Sequence, residues 1–162
     1  MKTKLVLILI LISQLSFAQR YTVHDRLFFL LNYYKSATYF EVNSEMFKTL
    51  AEADNVDVDF KKYVSKLSSL KMVQSKSDKL YQTFKTNCDL RKYERLMMKK
   101  DEDGRMSFYK RERKGHPNEF LLISDKMVIY IAGEIDLKSI GEFEKVMKIA
   151  GNAFESDFKP SK

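Results

Sequence analysis

Residue types that mark specialised classes of protein are scarce in this sequence. The 162-residue chain has one cysteine, no tryptophan, five glycines and two prolines. A single cysteine cannot build a disulfide scaffold, and so little glycine and proline excludes collagen-like and low-complexity chains. The hydrophobic fraction of 44% is too high for an intrinsically disordered protein. The composition therefore indicates one ordinary globular domain, with a net charge of +7.

The apolar run near the N-terminus, residues 5–12, is too short for a transmembrane helix, which needs about 20 residues. Lys2 and Lys4 precede it, and small residues occupy positions −3 and −1 before Gln19. This order predicts a signal peptide over residues 1–18, cleaved between Ala18 and Gln19, and therefore an exported, periplasmic or extracellular protein. An uncleaved anchor and a buried N-terminal helix are the alternatives. Cleavage lowers the net charge to +5, and we expect no transmembrane segment afterwards.

The only cysteine, Cys88, lies too far from the apolar run to carry a lipid anchor there. An exported protein meets an oxidising compartment, in which a lone cysteine has no intramolecular partner. Because free cysteine is among the most buried residue types, burial is the favoured interpretation of Cys88. An intermolecular disulfide and a reactive nucleophile are the alternatives.

Hydrophobic periodicity predicts the secondary structure of the mature chain. The first half is expected to contain a helix over 23–34, a strand over 38–42, a helix after Asn43 or Ser44, a helix over 60–67, a strand over 70–74 and a helix capped by Ser77 or Asp78. The second half is expected to contain strands over 93–100, 105–113, 120–123 and 127–132, followed by a helix over 137–150.

This order of elements predicts a single α+β domain over residues 19–150. Its sheet is expected to be mostly antiparallel, with five or six strands and with helices packed on it. The strand order cannot be predicted. Residues 151–162 are expected to form a flexible C-terminal tail.

An Asp-Gly pair at residues 103–104 predicts a hairpin between the first two strands of the second half. We place Gly104 in the left-handed position of a three-residue loop, with Asp101 opposite Arg105. This register gives the hairpin one apolar and one charged face. The apolar face carries Leu96, Met98, Met106 and Phe108, and the charged face carries Arg95, Lys99, Tyr109 and Arg111.

Several blocks, taken in order, resemble a family of exported, uncharacterised bacterial proteins, domain of unknown function 4252. The blocks are residues 26–28, Ser44–Glu52, residues 67–73, the charged hairpin and residues 133–138. The resemblance covers nearly all of the mature chain. It implies a small exported domain without a known cofactor, and it supplies no catalytic residues.

The search for chemistry yields no strong motif. His24 and His116 lie far from each other and from Cys88, so zinc-ligand spacing is missing. The acidic run that starts at Asp54 fails as a calcium loop, because Asp59 and Ser65 occupy the positions that require glycine and glutamate. The five glycines are scattered and form no phosphate loop. We therefore predict no cofactor and no metal.

Two weak catalytic arrangements stay open. Glu134 and Asp136 could act as paired carboxylates, although Asp136 is better explained as a helix cap. Cys88 could pair with a histidine, but it falls on the apolar side of its predicted helix. A small hydrolase whose site forms only in the fold is therefore the alternative to a non-enzymatic protein, and an envelope-stress sensor is a second alternative.

The basic segment over residues 91–114 is the one anomaly in composition. It holds ten lysines and arginines against five acids, and its charge of +5 equals that of the whole mature chain. An exported protein does not routinely meet nucleic acid, so we predict contact with an anionic envelope component or an acidic protein partner. The candidate contact residues are Arg95, Lys99, Tyr109, Arg111 and Arg113. Solubility and protection of an edge strand are the alternative explanation.

Overall fold

The structure, a computed structural model, describes residues 22–52, 58–102 and 104–135. The predicted signal peptide with its Ala18–Gln19 cleavage site, the carboxylates at 54–57, the predicted helix over 137–150 and the tail lie outside these residues. Among the helices that are described, none is both long and apolar enough to cross a membrane.

The described residues form four helices and six strands. The helices are α1 (Val23–Tyr33), α2 (Ser44–Glu52), α3 (Val58–Val64) and α4 (Leu80–Asn87). The strands are β1 (Thr38–Asn43), β2 (Leu67–Gln74), β3 (Glu94–Asp101), β4 (Gly104–Arg111), β5 (Asn118–Ser124) and β6 (Met127–Gly133).

All six strands join one sheet in the order β1-β2-β6-β5-β4-β3, and every neighbouring pair is antiparallel. The predicted α+β class and the antiparallel sheet of five or six strands are confirmed. The last four strands form a meander, in which each strand from β3 to β6 pairs with the next one along the chain. The unpredicted step is the pairing of β6 with β2, which joins the meander to the β1–β2 pair.

Helices cover the sheet on both faces. Phe47 of α2 and Val64 of α3 pack on one face in a cluster with Leu70, Phe120 and Ile131. On the opposite face, α1 and α4 contribute a second cluster, which includes Leu27, Leu30, Leu80, Phe84 and Tyr130. Burial from both sides explains why β5 and β6 are almost continuously apolar, whereas a sheet with one solvated face would alternate.

Local capping explains where the helices begin. Thr22 and Asp25 form a capping box at α1, and the Asn43 side chain accepts a hydrogen bond from the Met46 N–H at 3.0 Å. The predicted cap of α4 by Ser77 or Asp78 is wrong, since Lys79 is the N-cap and its side chain makes no capping hydrogen bond. Instead, the Leu80 N–H donates to the carbonyl of Asp125 at 3.1 Å, so the turn between β5 and β6 satisfies this helix end.

The boundary between α3 and β2 differs from the prediction. The expected helix over 60–67 ends at Val64, and Leu67 instead opens β2 opposite Gly133 of β6. The spacing of Leu67 is helical, but a buried sheet position is available to it, and tertiary pairing overrides local periodicity. Gly133 packs tightly at this point, because a Cβ on it would lie 2.4 Å from the carbonyl oxygen of Lys66.

The register of the β3–β4 hairpin also differs from the prediction. Asp101 pairs with Gly104, so two residues rather than three connect the strands, and the ladder shifts between Arg95 and Met97. Met97 therefore lies opposite Phe108, while Leu96 and Met98 are 36% and 48% exposed. The predicted apolar face of Leu96, Met98, Met106 and Phe108 is therefore wrong in part. Its two β3 residues, Leu96 and Met98, do not lie beside Met106 and Phe108.

Candidate functional site

A cleft of about 480 Å³ opens at the end of the sheet where α1 begins. The first turn of α1, the segment before β3 and the residues on either side of the β4–β5 connection surround it. Its lining is rich in charge: Thr22, Val23, His24, Asp89, Arg91, Lys92, Tyr93, Arg111, Arg113 and Glu119.

Glu119 is the buried carboxylate at the centre of this cleft, with a residue exposure of 5%. Arg113 Nη2 donates to Glu119 Oε1 at 2.6 Å, and Arg111 Nη1 lies 3.5 Å from Oε2. The Tyr93 hydroxyl donates to Oε2 as well. The ladder places Arg111 directly opposite Glu119, which explains why their charges meet. A buried carboxylate needs such donors, and these three supply them.

Tyr93 in the cleft and Tyr130 behind His24 are held in the protonated form. Burial, together with the hydrogen bond and the charge of Glu119, raises the pKa of the Tyr93 phenol well above its ordinary value. Burial and the nearby charge of Glu119 raise the pKa of Tyr130 in the same direction. Both phenols therefore act as neutral groups at physiological pH, and Tyr93 acts as a hydrogen-bond donor.

His24 lines the cleft beside these groups. Its ring meets the Tyr130 ring edge-on, with 4.5 Å between the centroids. Burial and the positive charge of Lys71 lower the pKa of His24 from its ordinary value. The imidazole is therefore neutral at pH 7 and adds no charge there.

The remaining charges leave the cleft positive. Arg91 makes a two-point ion pair with Asp89, through Nε at 2.9 Å and Nη2 at 3.0 Å. Lys92 lines the rim, and Arg111 and Arg113 share the single carboxylate of Glu119. With His24 neutral, four cations face two carboxylates, so the lining carries a net charge of +2. A cleft with this balance attracts an anion.

Comparison with known proteins settles the family. The family described as domain of unknown function DUF4252 matches residues 33–143, well over half of the chain. The chain belongs to this family. No curated protein and no solved structure matches it. The DUF4252 match spans Tyr93, Arg111, Arg113 and Glu119, whereas His24 precedes it.

The DUF4252 fold does not gather the five predicted contact residues on one surface. Arg111 and Arg113 enter the cleft, but Tyr109 is 5% exposed and packs in the core cluster beneath α1 and α4. Lys99 lies opposite Met106, on the other face of the sheet from Tyr109, and pairs with Asp101 at 2.5 Å. The predicted charged face is therefore wrong for Lys99.

The position of Arg95 fits the alternative explanation of the basic segment, which is protection of an edge strand. Arg95 lies on β3, the edge strand of the sheet, and its guanidinium contacts the Met98 sulfur at 3.7 Å. Charged residues on an exposed edge discourage pairing with other strands. The charge on β3 fits edge protection, and the charge that can recognise a ligand lies in the cleft, on Arg111, Arg113 and Lys92.

Of the weaker catalytic candidates, Cys88 and Glu134 lie among the described residues. Burial raises the pKa of the Cys88 thiol to about 12, which leaves almost no thiolate at neutral pH. Asp136 lies outside the described residues, and the backbone N–H of Glu134 donates to the carbonyl of Lys66 at 2.8 Å. Over the described ranges, no three histidine, cysteine or acidic side chains come together as a metal site.

Sequence reasoning missed Glu119 and Tyr93. The available signal was Glu119 itself, an acid at the start of the apolar run of β5, close after Arg111 and Arg113. A buried strand rarely carries an acid unless a cation or a hydrogen-bond donor faces it. Tyr93 gave no comparable signal, because its contact with Glu119 joins residues 26 positions apart.

Proposed function

We propose that this DUF4252 protein is an exported, non-enzymatic domain that binds an anionic partner of the bacterial envelope in the basic cleft. One observation carries the proposal: Arg111 and Arg113 are both fixed on the buried Glu119, and one carboxylate cannot neutralise two guanidinium groups. The excess positive charge is thus held in place before any ligand arrives, which reduces the cost of ordering on binding.

The state of the polar groups favours binding over catalysis. Glu119 accepts hydrogen bonds from Tyr93 and Arg113 and lies in an ion pair with Arg111, so both of its oxygens already face donors of the protein. A general base needs a lone pair directed at the substrate. Tyr93 stays protonated, and the Cys88 thiol, with a pKa of about 12, is a poor nucleophile.

Export is the second part of the proposal. It is supported by the basic, apolar and small-residue order of residues 1–18. Mass spectrometry of the protein from its native host tests it directly. The expected mature N-terminus is Gln19, and a protein that retains Met1 in the cytoplasm would contradict export.

Affinity capture from a native envelope fraction tests the binding function. The mature chain should retain an envelope component that the double variant Arg111→Gln, Arg113→Gln does not retain. Arg95→Gln, Lys100→Gln is the matched control, because it removes the same two charges from the edge strand outside the cleft. Equal capture by all three proteins would overturn the proposal.

Because Arg111 and Arg113 also bind Glu119, misfolding of the double variant is a second possible cause of lost capture. A second variant separates the two causes. Lys92 lines the same cleft without a described contact to Glu119, so Lys92→Gln lowers the positive charge and leaves the central ion pairs intact. It should weaken capture measurably, and unchanged capture by a folded Lys92→Gln protein would count against the cleft.

A further inference from the structure

We propose that the cleft recognises a phosphate monoester, that is, a terminal phosphoryl group carrying two negative charges. The inference rests on the proposed anion-binding function and deepens it by naming the chemical class of the ligand. It follows from three properties of the cleft: its charge, the donors it presents and its size.

The charge of the lining matches a dianion. Arg91 and Asp89 neutralise each other, and Glu119 neutralises one of the two guanidinium groups bound to it. The second guanidinium and Lys92 account for the net charge of +2. A phosphate monoester carries close to −2 at pH 7, because its second pKa is about 6. A single carboxylate would leave the cleft positive.

The donors are of the kind that phosphate requires. A guanidinium group has five N–H donors in a planar fork. The hydrogen bonds and ion pairs to Glu119 use one terminal nitrogen of each arginine, Nη1 of Arg111 and Nη2 of Arg113. Arg111 also contacts Tyr93, with its guanidinium carbon 5.6 Å from the ring centroid, and the Arg111 and Arg113 side chains, both in the lining of the cleft, are 22% and 42% exposed. Two arginine forks can bind different oxygens of one tetrahedral anion, whereas a planar carboxylate is satisfied by one fork.

The size of the cleft adds to the same preference, whereas the nearby helix end does not. Thr22 and Val23 bring the first turn of the 11-residue helix α1 to the edge of the cleft. The Asp25 carboxylate of the capping box already balances this helix end, so the preference for an anion rests on the arginines and Lys92. The volume of about 480 Å³ suits a small phosphorylated group rather than a macromolecular surface.

Titration of the mature protein with inorganic phosphate, followed by backbone amide NMR, tests the inference. We expect saturable shifts at the residues of the cleft, with a dissociation constant of about 1 mM or below. Arg111→Lys and Arg113→Lys keep the charge and remove the fork, so each should weaken phosphate binding about 10-fold. Arg95→Gln should stay within about 2-fold of the wild type.

Succinate separates the phosphate assignment from general anion binding. Its carboxylates should bind at least about 10-fold more weakly than phosphate if the two arginine forks select a tetrahedral dianion. Equal binding of succinate and phosphate would overturn the phosphate assignment. Absence of phosphate binding to the folded wild-type protein would overturn it too.

Vesicles identify the source of the phosphoryl group. Phosphatidylcholine vesicles doped with phosphatidic acid present the monoester on a membrane, and glycerol 3-phosphate presents it free in solution. The inference is supported if inorganic phosphate displaces the bound vesicles or the bound glycerol 3-phosphate, and if this binding requires Arg111 and Arg113. Vesicle binding that phosphate does not displace would overturn it.

The inference can fail while the proposed function stands. Envelope capture that depends on Arg111 and Arg113, yet is not displaced by phosphate or by glycerol 3-phosphate, would overturn the phosphate assignment alone. Capture that is indifferent to these arginines would overturn the anion-binding function together with the inference.

Discussion

Asp125 holds the backbone of Arg105 at the start of β4. Asp125 Oδ2 accepts a hydrogen bond from the Arg105 backbone N–H at 2.8 Å, and Oδ1 accepts one from Nη2 at 3.1 Å. The Asp125 N–H in turn donates to the carbonyl of Arg105 at 3.2 Å. These bonds fasten the β3–β4 turn to the β5–β6 turn, and they involve residues 20 positions apart.

Replacement of Asp125 should therefore destabilise the fold. Asp125→Ala is expected to lower the free energy of unfolding by about 2 kcal/mol, because it leaves the partly buried Arg105 donors without their acceptor. Urea denaturation followed by circular dichroism measures the change. Glu102→Ala removes an exposed acid from the neighbouring turn and should cost less than about 0.5 kcal/mol. Equal losses for both variants would show that the link to Arg105 does not stabilise the protein.

Gly104 gives a second stability prediction at the same turn. Its φ angle is +128°, and a Cβ on it would lie 2.8 Å from Asp125 Oδ2. Gly104→Ala should cost about 2 kcal/mol or more, through backbone strain and displacement of the Asp125 carboxylate.

Gly115→Ala is the matched comparison for Gly104→Ala. Gly115 also has a positive φ, +75°, but no atom beyond its own residue and its two chain neighbours lies within 4 Å of the added Cβ. Only the backbone strain of about 1 kcal/mol is expected there. Thermal denaturation of the two variants should therefore rank Gly104→Ala as the less stable, and the reverse order would contradict the packing at Asp125.

The same contacts explain why the hairpin register could not be predicted. Leu96, Met97 and Met98 are consecutive apolar residues, so the sequence of β3 favours no single alternation. The register is set instead by the two-residue connection and by the ties from Asp125 to Arg105. A contact across 20 residues is invisible to local periodicity.

Elements with strong local signals were predictable. The helix at Val23–Tyr33 has regular apolar spacing and a capping box, and β5 and β6 contain uninterrupted apolar runs at residues 120–123 and 127–132. The cleft was predictable only in its two arginines, Arg111 and Arg113. Its remaining parts come from three separate segments that the sheet order brings together, and that order includes the β2–β6 pairing between distant strands.

Cys88 should be unreactive in the folded protein. It is 8% exposed, and burial raises its pKa from 9.0 to about 12. At pH 8 the thiolate fraction should then fall about 1000-fold relative to an ordinary cysteine, since each pKa unit is a factor of ten. Alkylation by iodoacetamide, followed by mass spectrometry, should be slow in buffer and fast in concentrated urea. Equal rates in the two solutions would place the thiol at the surface.

His24 should make the stability of the protein depend on pH. Because burial and Lys71 lower its pKa below 6.5, the unfolded state takes up a proton at a higher pH than the folded state does. The unfolded state then binds more protons between the two pKa values, so the free energy of unfolding falls as the pH drops through this window. The groups that surround the ring are Tyr130, Lys71, Glu119, Asp25 and Glu41.

The contribution of His24 is isolated by comparing variants rather than by the wild-type curve alone. Urea denaturation between about pH 7.5 and 5.5 should show a smaller loss of stability for His24→Gln than for the wild type, since the variant has no imidazole to protonate. The lowered pKa values of Asp25 and Glu41 act below this window, because their ordinary values are 3.8 and 4.5. His116→Gln replaces an exposed histidine in the turn before β5 and serves as the matched control for the loss of a histidine side chain. Parallel curves for the wild type and His24→Gln would mean that the imidazole is as readily protonated in the folded cleft as in the unfolded chain.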